Sequence, residues 1–321
     1  MSEKAKFACD LHCHTIRSDG CDTPRELIDS AAERGLKVLA ITDHDVRPPK
    51  TVDTDEGEMD LLEYGRLRGI TVLRGCEVSC ETQVEDVHIV LLGCDWSDGF
   101  FTELEEQVQR SKIESYQRLV ELIREDGYPI SWEDILNNDG KPIAPELTQK
   151  KMIFERLAKI GFAESWSEAK LKCKETPRYQ VKRPKPDPLE VIAEAHRCGG
   201  IAILAHPYLI NEPVQLEGET LSRAEYIERL IEAGLDGIEA EYTYDKTSYS
   251  GSLTREEIAR EVRALYSGRL AIISGGSDYH ADHKKGVKNA RAIGEAGVSE
   301  EYFYSNPLLA RLARTDEALP R

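Results

Sequence analysis

The chain has 321 residues, 40% of them apolar, with 42 lysines and arginines against 59 acids and a formal net charge of −17. That is enough apolar material for one large core or two modest ones, and so acidic a field argues against a protein that coats long DNA or RNA. No run of about 18 apolar residues exists to span a membrane, and the opening MSEKAKFACD carries no signal core, so a cytoplasmic protein is expected whose eight cysteines, lacking CxxC pairs, are buried reduced thiols.

From the N-terminus, β-rich runs alternate with helical patterns. KFACDLHCHT (6–15) reads as a strand, TPRELIDSAAERG (23–35) as a helix, KVLAITDHD (37–45) as a strand, and EMDLLEYGRLRG (58–69) as a helix; ITVLRGCEVSC (70–80) and DVHIVLLGC (86–94) are further strands. This order predicts parallel strands covered by helices. The rhythm breaks after Trp96, where 103–126, 131–136, 148–161 and 165–175 all carry helical patterns, so an inserted helical subdomain or cap is expected over 99–179. The proline-rich basic stretch RYQVKRPKPDP (178–188) reads as a linker. Helices at 188–200, 223–234 and 254–268 then alternate with strands at 201–207, 236–242 and 271–280. About seven strands result, an α/β barrel pattern over 1–98 and 180–321.

In such folds functional side chains collect at strand ends and in the loops that follow. There the chain places DLHCHTIRSDG with Asp10, His12, His14 and Asp19, then TDHD with Asp43 and His44, Glu77, His88, LAHP with His206, and SDYH with Asp278 and His280. Strand alternation turns Asp10, His12 and His14 to one face and Cys9, Leu11 and Cys13 to the other. A lone histidine in an apolar strand is usually a hydrogen-bonded core residue. Six imidazoles and several carboxylates around one barrel mouth are too many to bury without a cation, since each unpaired charge costs several kcal/mol. Mixed imidazole and carboxylate ligands suit zinc, manganese or iron, and nine candidates exceed the needs of one ion; two or three are implied.

These residues resemble the PHP (polymerase and histidinol phosphatase) metal-dependent phosphoesterases, whose pattern runs from an HxH pair through an SDG loop, a TDH strand, a glutamate strand end and later histidines to a final DxH. The resemblance covers roughly 1–98 and 180–300. It implies a distorted seven-stranded (β/α) barrel holding up to three divalent ions (Mn²⁺, Zn²⁺ or Fe²⁺). His12, His14, Glu77 and Asp278 would hold one, Glu77, His88 and His206 a second, and Asp19, His44 and His280 a third. The subgroup that looks most similar carries a helical insertion after the His88 strand and acts on nucleotide phosphates such as AMP and 3′,5′-bisphosphates. Where its members have a GRPHIA-like stretch, this chain reads GKPIAPELTQKKMIFERL.

No GxSxG, cysteine-nucleophile signature or P-loop is present. The expected nucleophile is therefore a metal-bridging hydroxide held by way of Glu77, acting on a small phosphorylated substrate, most simply a nucleotide. Asp10 and Asp43 are expected to accept the outer N–H of a ligand imidazole; Glu239 and Glu241 either do likewise or form ordinary buried ion pairs. Arg17 is the expected phosphate contact, whereas His196 and His283 are expected outside the ligand set. The competing readings are a histidinol-phosphate phosphatase, a 5′-3′ exonuclease on short RNA or DNA oligonucleotides, and a non-catalytic PHP module; nothing in the sequence bears on oligomeric state.

Overall fold

The computed structural model describes residues 4–138 and 140–315. Seven strands form one nearly closed sheet in chain order: β1 (Cys9–Asp10), β2 (Val38–Ile41), β3 (Thr71–Ser79), β4 (His88–Leu92), β5 (Ile201–Leu204), β6 (Gly237–Glu241) and β7 (Ile272–Gly275). Six of the strands share one direction. The exception is β4, antiparallel to both β3 and β5, so the expected all-parallel order fails there. The cause is chain length: only residues 80–87 separate β3 from β4, and a parallel return needs a crossover of a dozen or more residues. Reversal places His88 at the start of its strand, and so at the mouth where the other strands end.

The first helix, α1 (Pro24–Arg34), shows why these segments form where they do. Thr23 caps it in a capping box with Glu26, Pro24 occupies the first turn, and Gly35 ends it in the left-handed region at φ 84°. Its apolar face (Leu27, Ile28, Ala31) packs on Leu39 and Ile41 of β2. The alternate β2 residues Val38 and Ala40 join Leu73, Val90, Ile201, Ile203 and Ile272 in a second cluster, which also takes Phe303, Leu309 and Leu312 from the C-terminal helices. A hairpin of Thr51–Thr54 and Gly57–Asp60, absent from the sequence reading, precedes the helix Leu61–Leu67.

The chain divides into two compact units. One holds the described residues up to Thr102 and from Pro186 onward; the other is Glu103–Lys185. The latter is helical, with its own core of Leu119, Ile123, Ile135, Ile153, Leu157 and Ala169. Tyr179, inside the expected linker, belongs to that core and donates its hydroxyl to Asp126 at 2.6 Å. Among the described residues no helix is long and apolar enough to cross a membrane.

Between β1 and β7 the seam is held by Leu11 N–H to Gly275 O (3.3 Å), His14 N–H to Tyr279 O (2.8 Å) and the fully buried Asp10. Asp10 accepts from Ser277 N–H (2.9 Å), the Ser277 hydroxyl (2.5 Å) and Gly294 N–H (2.7 Å). With the His12 N–H at 3.4 Å as well, replacing it strands four buried donors, so Asp10→Ala should lower unfolding stability by roughly 3 kcal/mol in denaturant titration; a loss below about 1 kcal/mol would show that the seam does not depend on it.

Candidate metal centre

At the barrel mouth the chain brings together His12, His14, Asp19, His44, Glu77, His88, His206, Asp278 and His280. Glu77, 1% exposed at the β3 end, sits among five imidazoles. Its Oε2 lies 2.9 Å from His12 Nε2, 3.1 Å from His14 Nε2 and 3.1 Å from His44 Nδ1. Its Oε1 lies 2.9 Å from His88 Nδ1 and 3.0 Å from His206 Nε2. Asp278 Oδ1 is 3.0 Å from His14 Nε2 and 3.6 Å from His12 Nε2, and Asp19 Oδ1 is 3.0 Å from His280 Nε2 and 4.0 Å from His44 Nε2.

Among the described residues, three groups have metal-holding geometry: His12, His14, Glu77 and Asp278; His14, Asp19, His44 and His280; and His44, Glu77 and His88. The first has the composition implied for one ion. The second adds His14 to the implied third set, and the last has His44 where His206 was implied; His206 Nε2 lies 3.0 Å from Glu77 Oε1 but is in none of the three groups.

Tight backbone turns make this convergence possible. His206 and Asp278 sit at φ 29° and 51°, in conformations that side-chain-bearing residues adopt at a cost and that cluster at functional sites. Gly276 packs so closely under His12 that an added Cβ would lie 2.2 Å from His12 Cβ; at Gly20 of the SDG loop one would lie 2.7 Å from the His14 carbonyl oxygen.

The residues fit divalent ions. Ligand atoms about 2.1 Å from a common ion lie roughly 3.0–3.4 Å from each other at tetrahedral to octahedral angles, close to the spacing here. Among the described residues, the buried His12 Nε2, His14 Nε2, His44 Nδ1 and Glu77 Oε2 make no hydrogen bond, although they crowd together. Donor atoms that converge without bonding one another are arranged for a shared cation.

The electrostatics agree. Burial opposes charge on Glu77, but His12, His44 and His88 overcome it and hold its pKa far below the usual carboxylate range. Burial also opposes a proton on His14, yet Asp278 and Glu77 raise its pKa to about 10. For His44 burial prevails and lowers it to about 4. Protons and divalent ions therefore compete for the same nitrogens.

Several expectations need correction. Asp10 and Asp43 touch no ligand side chain. Asp10 closes the seam, and Asp43 accepts from Thr15 N–H (2.7 Å), Thr15 Oγ1 (2.7 Å) and Ser18 Oγ (2.7 Å), anchoring the loop that carries Asp19. Their short side chains, on the ligand strands themselves, reach backbone and hydroxyl donors rather than the imidazoles. The carboxylate that orients an imidazole is Glu239, from β6: Oε1 lies 3.0 Å from His12 Nδ1 and Oε2 accepts from His206 N–H at 2.8 Å. Glu241 pairs with Arg263. Arg17 is exposed and donates to the Arg47 carbonyl at 3.1 Å, and it does not line the cleft.

That cleft, about 240 Å³, is lined by ligand residues together with Asp86, Leu209, Tyr242, Lys246, Thr247, Ser248 and Arg291. Tyr242 donates its hydroxyl to Asp278 Oδ2 at 2.7 Å, and Arg291 pairs with the same oxygen and with Asp282 at 3.1 Å. Only Asp278 Oδ1 is left to face the histidines. Arg291 went unnoticed because it lies 11 residues beyond His280 in a segment with no pattern; Tyr242 was legible only as the end of a strand.

The family model described as PHP domain matches residues 10–157. The chain is 31% identical over 206 residues to a 5′-3′ exoribonuclease of Haemophilus influenzae, covering 63% of this chain and 69% of that protein. It is 28% identical over 284 residues to a 3′,5′-nucleoside bisphosphate phosphatase of Chromobacterium violaceum, covering 86% and 88%. A solved structure from Bifidobacterium adolescentis, described as a candidate metal-dependent phosphoesterase, superposes with a TM-score of 0.65 at 26% identity over 96% of this chain and 98% of that one.

Two outcomes follow from the geometry. Because Glu77 is common to two of the three groups, Glu77→Ala should reduce bound metal by at least one ion per chain in elemental analysis; unchanged stoichiometry would remove Glu77 from the ligand set. Because Asp278 and Glu77 outweigh burial and raise the His14 pKa to about 10, metal uptake near neutral pH is expected to displace a proton from it. Titrating Mn²⁺ at pH 8 should release protons into a weak buffer, and affinity should rise with pH; uptake without proton release would contradict this.

Proposed function

The chain belongs to the PHP-domain metal-dependent phosphoesterases, hydrolases of phosphoric esters, and we propose that it removes phosphate from a nucleotide monoester of the AMP or 3′,5′-bisphosphate type. The observation that carries the reading is the division of Glu77 between five imidazoles, three at one oxygen and two at the other, an arrangement suited to a carboxylate shared between ions. We assign the site two or three ions, with Mn²⁺, Zn²⁺ or Fe²⁺ matching its nitrogen and oxygen donors. Divalent ions in such a site supply Lewis acidity, lowering the pKa of water toward neutrality and neutralising phosphoryl oxygens.

The chain's own residues arrange that chemistry. His12, His14, Glu77 and Asp278 hold one ion, His44 and His88 with Glu77 a second, and Asp19, His44 and His280 a third. Glu239 fixes the ring of His12 through Nδ1, leaving Nε2 for the ion. Tyr242 and Arg291 restrain Asp278 to one presented oxygen. Water is the nucleophile. Cys13, between the two histidines, is fully buried, and burial pushes its thiol pKa far up, so it supplies no thiolate. Arg291 and Lys246 line the cleft, Lys246 with its ammonium on Glu295 at 2.7 Å, and we assign to them the phosphate contact expected of Arg17. The bisphosphate phosphatase relative, which aligns over most of both chains, supports the nucleotide reading. We place the protein in a reducing compartment, the cytoplasm: all eight cysteines are free thiols, seven of them buried.

The test is a panel of phosphate esters, AMP, adenosine 3′,5′-bisphosphate, histidinol phosphate and a 5′-phosphorylated short RNA, assayed with Mn²⁺ added. Turnover of a mononucleotide is expected, with Glu77→Gln slower by a factor of about 10³ or more. Turnover of the RNA or of histidinol phosphate alone would replace the nucleotide reading, and no turnover of any ester by the metal-loaded chain would end it.

A further inference from the structure

The acidic charge of this protein is not spread evenly. Within the helical unit, residues 103–140 carry four lysines and arginines against ten acids, a net −6, whereas 141–185 carry twelve against five, a net +7. In a chain of net −17, a positive segment of this size has no counterpart in the overall composition. It contains two helices of the unit, α5 (Lys150–Lys159) and α6 (Trp166–Glu175), the fifth and sixth in chain order after α1, Leu61–Leu67, Gly99–Glu125 and Trp132–Leu136.

The face these helices present has a second unusual feature. Trp166 is 42% exposed and Leu171 is 52% exposed, although the core is close at hand: Ala169 and Cys173 of the same helix are buried in it. Lys151 of α5, which also pairs with Glu155 at 3.6 Å on an exposed face, stands over the Trp166 ring with Nζ 5.1 Å from the centroid. Lys170 and Lys174 follow Trp166 at helical i+4 and i+8, so indole and ammonium groups fall along one stripe. Both lysines are exposed, and among the described residues neither makes an ion pair that neutralises it. An indole left half in solvent and flanked by cations is poor packing, but it suits a ligand that is both anionic and flat.

We propose that the α5–α6 face formed by Lys151, Trp166, Lys170 and Lys174 binds single-stranded nucleic acid, with phosphates on the lysines and a base stacked on the indole. The inference extends the nucleotide reading of the metal site and rests on it for the choice of ligand. Single strands are specified over duplexes because only unpaired bases expose a face for stacking, which contributes about 1–3 kcal/mol per base and tolerates any sequence. Three lysine contacts are few, so the expected affinity is modest and salt-sensitive, in keeping with a short oligonucleotide and with a chain whose overall field repels long ones.

The experiment uses the full metal-loaded chain and a roughly 12-nucleotide 2′-O-methyl RNA with a 3′ fluorophore, a probe whose modified backbone resists cleavage. Anisotropy should show micromolar binding at about 50 mM salt, with log K falling at a slope of about −2 against log salt for three phosphate contacts. Binding should quench tryptophan emission, and Trp166→Phe should abolish the quench while Trp96 and Trp132 remain. The triple variant Lys151→Ala, Lys170→Ala, Lys174→Ala should bind about tenfold more weakly or worse, with mononucleotide turnover unchanged. No binding, equal affinity of the triple variant, a quench that survives Trp166→Phe, or a duplex bound as tightly as the single strand would each overturn the proposal. Those results would leave mononucleotide hydrolysis standing. Conversely, RNA binding without turnover of any ester would overturn the nucleotide reading and keep this one.

Discussion

The structure turns on one buried carboxylate. Glu77 is 1% exposed and faces five imidazole nitrogens at 2.9–3.1 Å. Neutral imidazoles alone leave its charge uncompensated, and fully protonated ones would repel each other at ring separations of 4.4–5.9 Å. A divalent cation resolves both problems: it needs neutral imidazoles and supplies the positive charge itself. The same mouth holds left-handed backbone at His206 and Asp278 and a glycine packed under His12.

Barrel topology brings the candidate ligands, and with them His206 against Glu77, to this point from nearly every strand. His12 and His14 follow β1, His44 follows β2, Glu77 lies in β3, His206 follows β5, and Asp278 and His280 follow β7. β4 contributes His88 from its first residue because it runs backward. β6 sends no ligand but supplies Glu239, which holds His12 by its ring and His206 by its backbone. The two acids beside the first ligands do mechanical work: Asp10 closes the seam on Ser277 and Gly294, and Asp43 ties down the loop that ends at Asp19.

Much of this was legible in the sequence because most candidate ligands sit on a short, strongly apolar run with a polar residue at its end, and local pattern carries that signal. The seven strands and the helices with clear caps, such as Thr23 before Pro24, are of this kind. Less visible were features set by connection length or by distant contacts. The reversed β4 follows from the shortness of 80–87, which the βα rhythm concealed. Asp10 closes the seam instead of orienting an imidazole, and of the two roles open to Glu239 it takes the imidazole, because spacing along a strand shows which side a residue faces and not which donor it meets across the barrel. Arg291 reaches Asp278 from an irregular segment, and Arg17, adjacent to the ligands in sequence, turns instead to the Arg47 carbonyl.

The most direct test of a carboxylate shared between ions is anomalous diffraction from crystals of the metal-loaded protein, collected at and below the metal absorption edge. Two or three anomalous peaks, neighbours about 3.5–4 Å apart and at least two of them within bonding distance of Glu77, are predicted. A single peak held without Glu77, or none after loading with Mn²⁺ or Zn²⁺, would contradict the account.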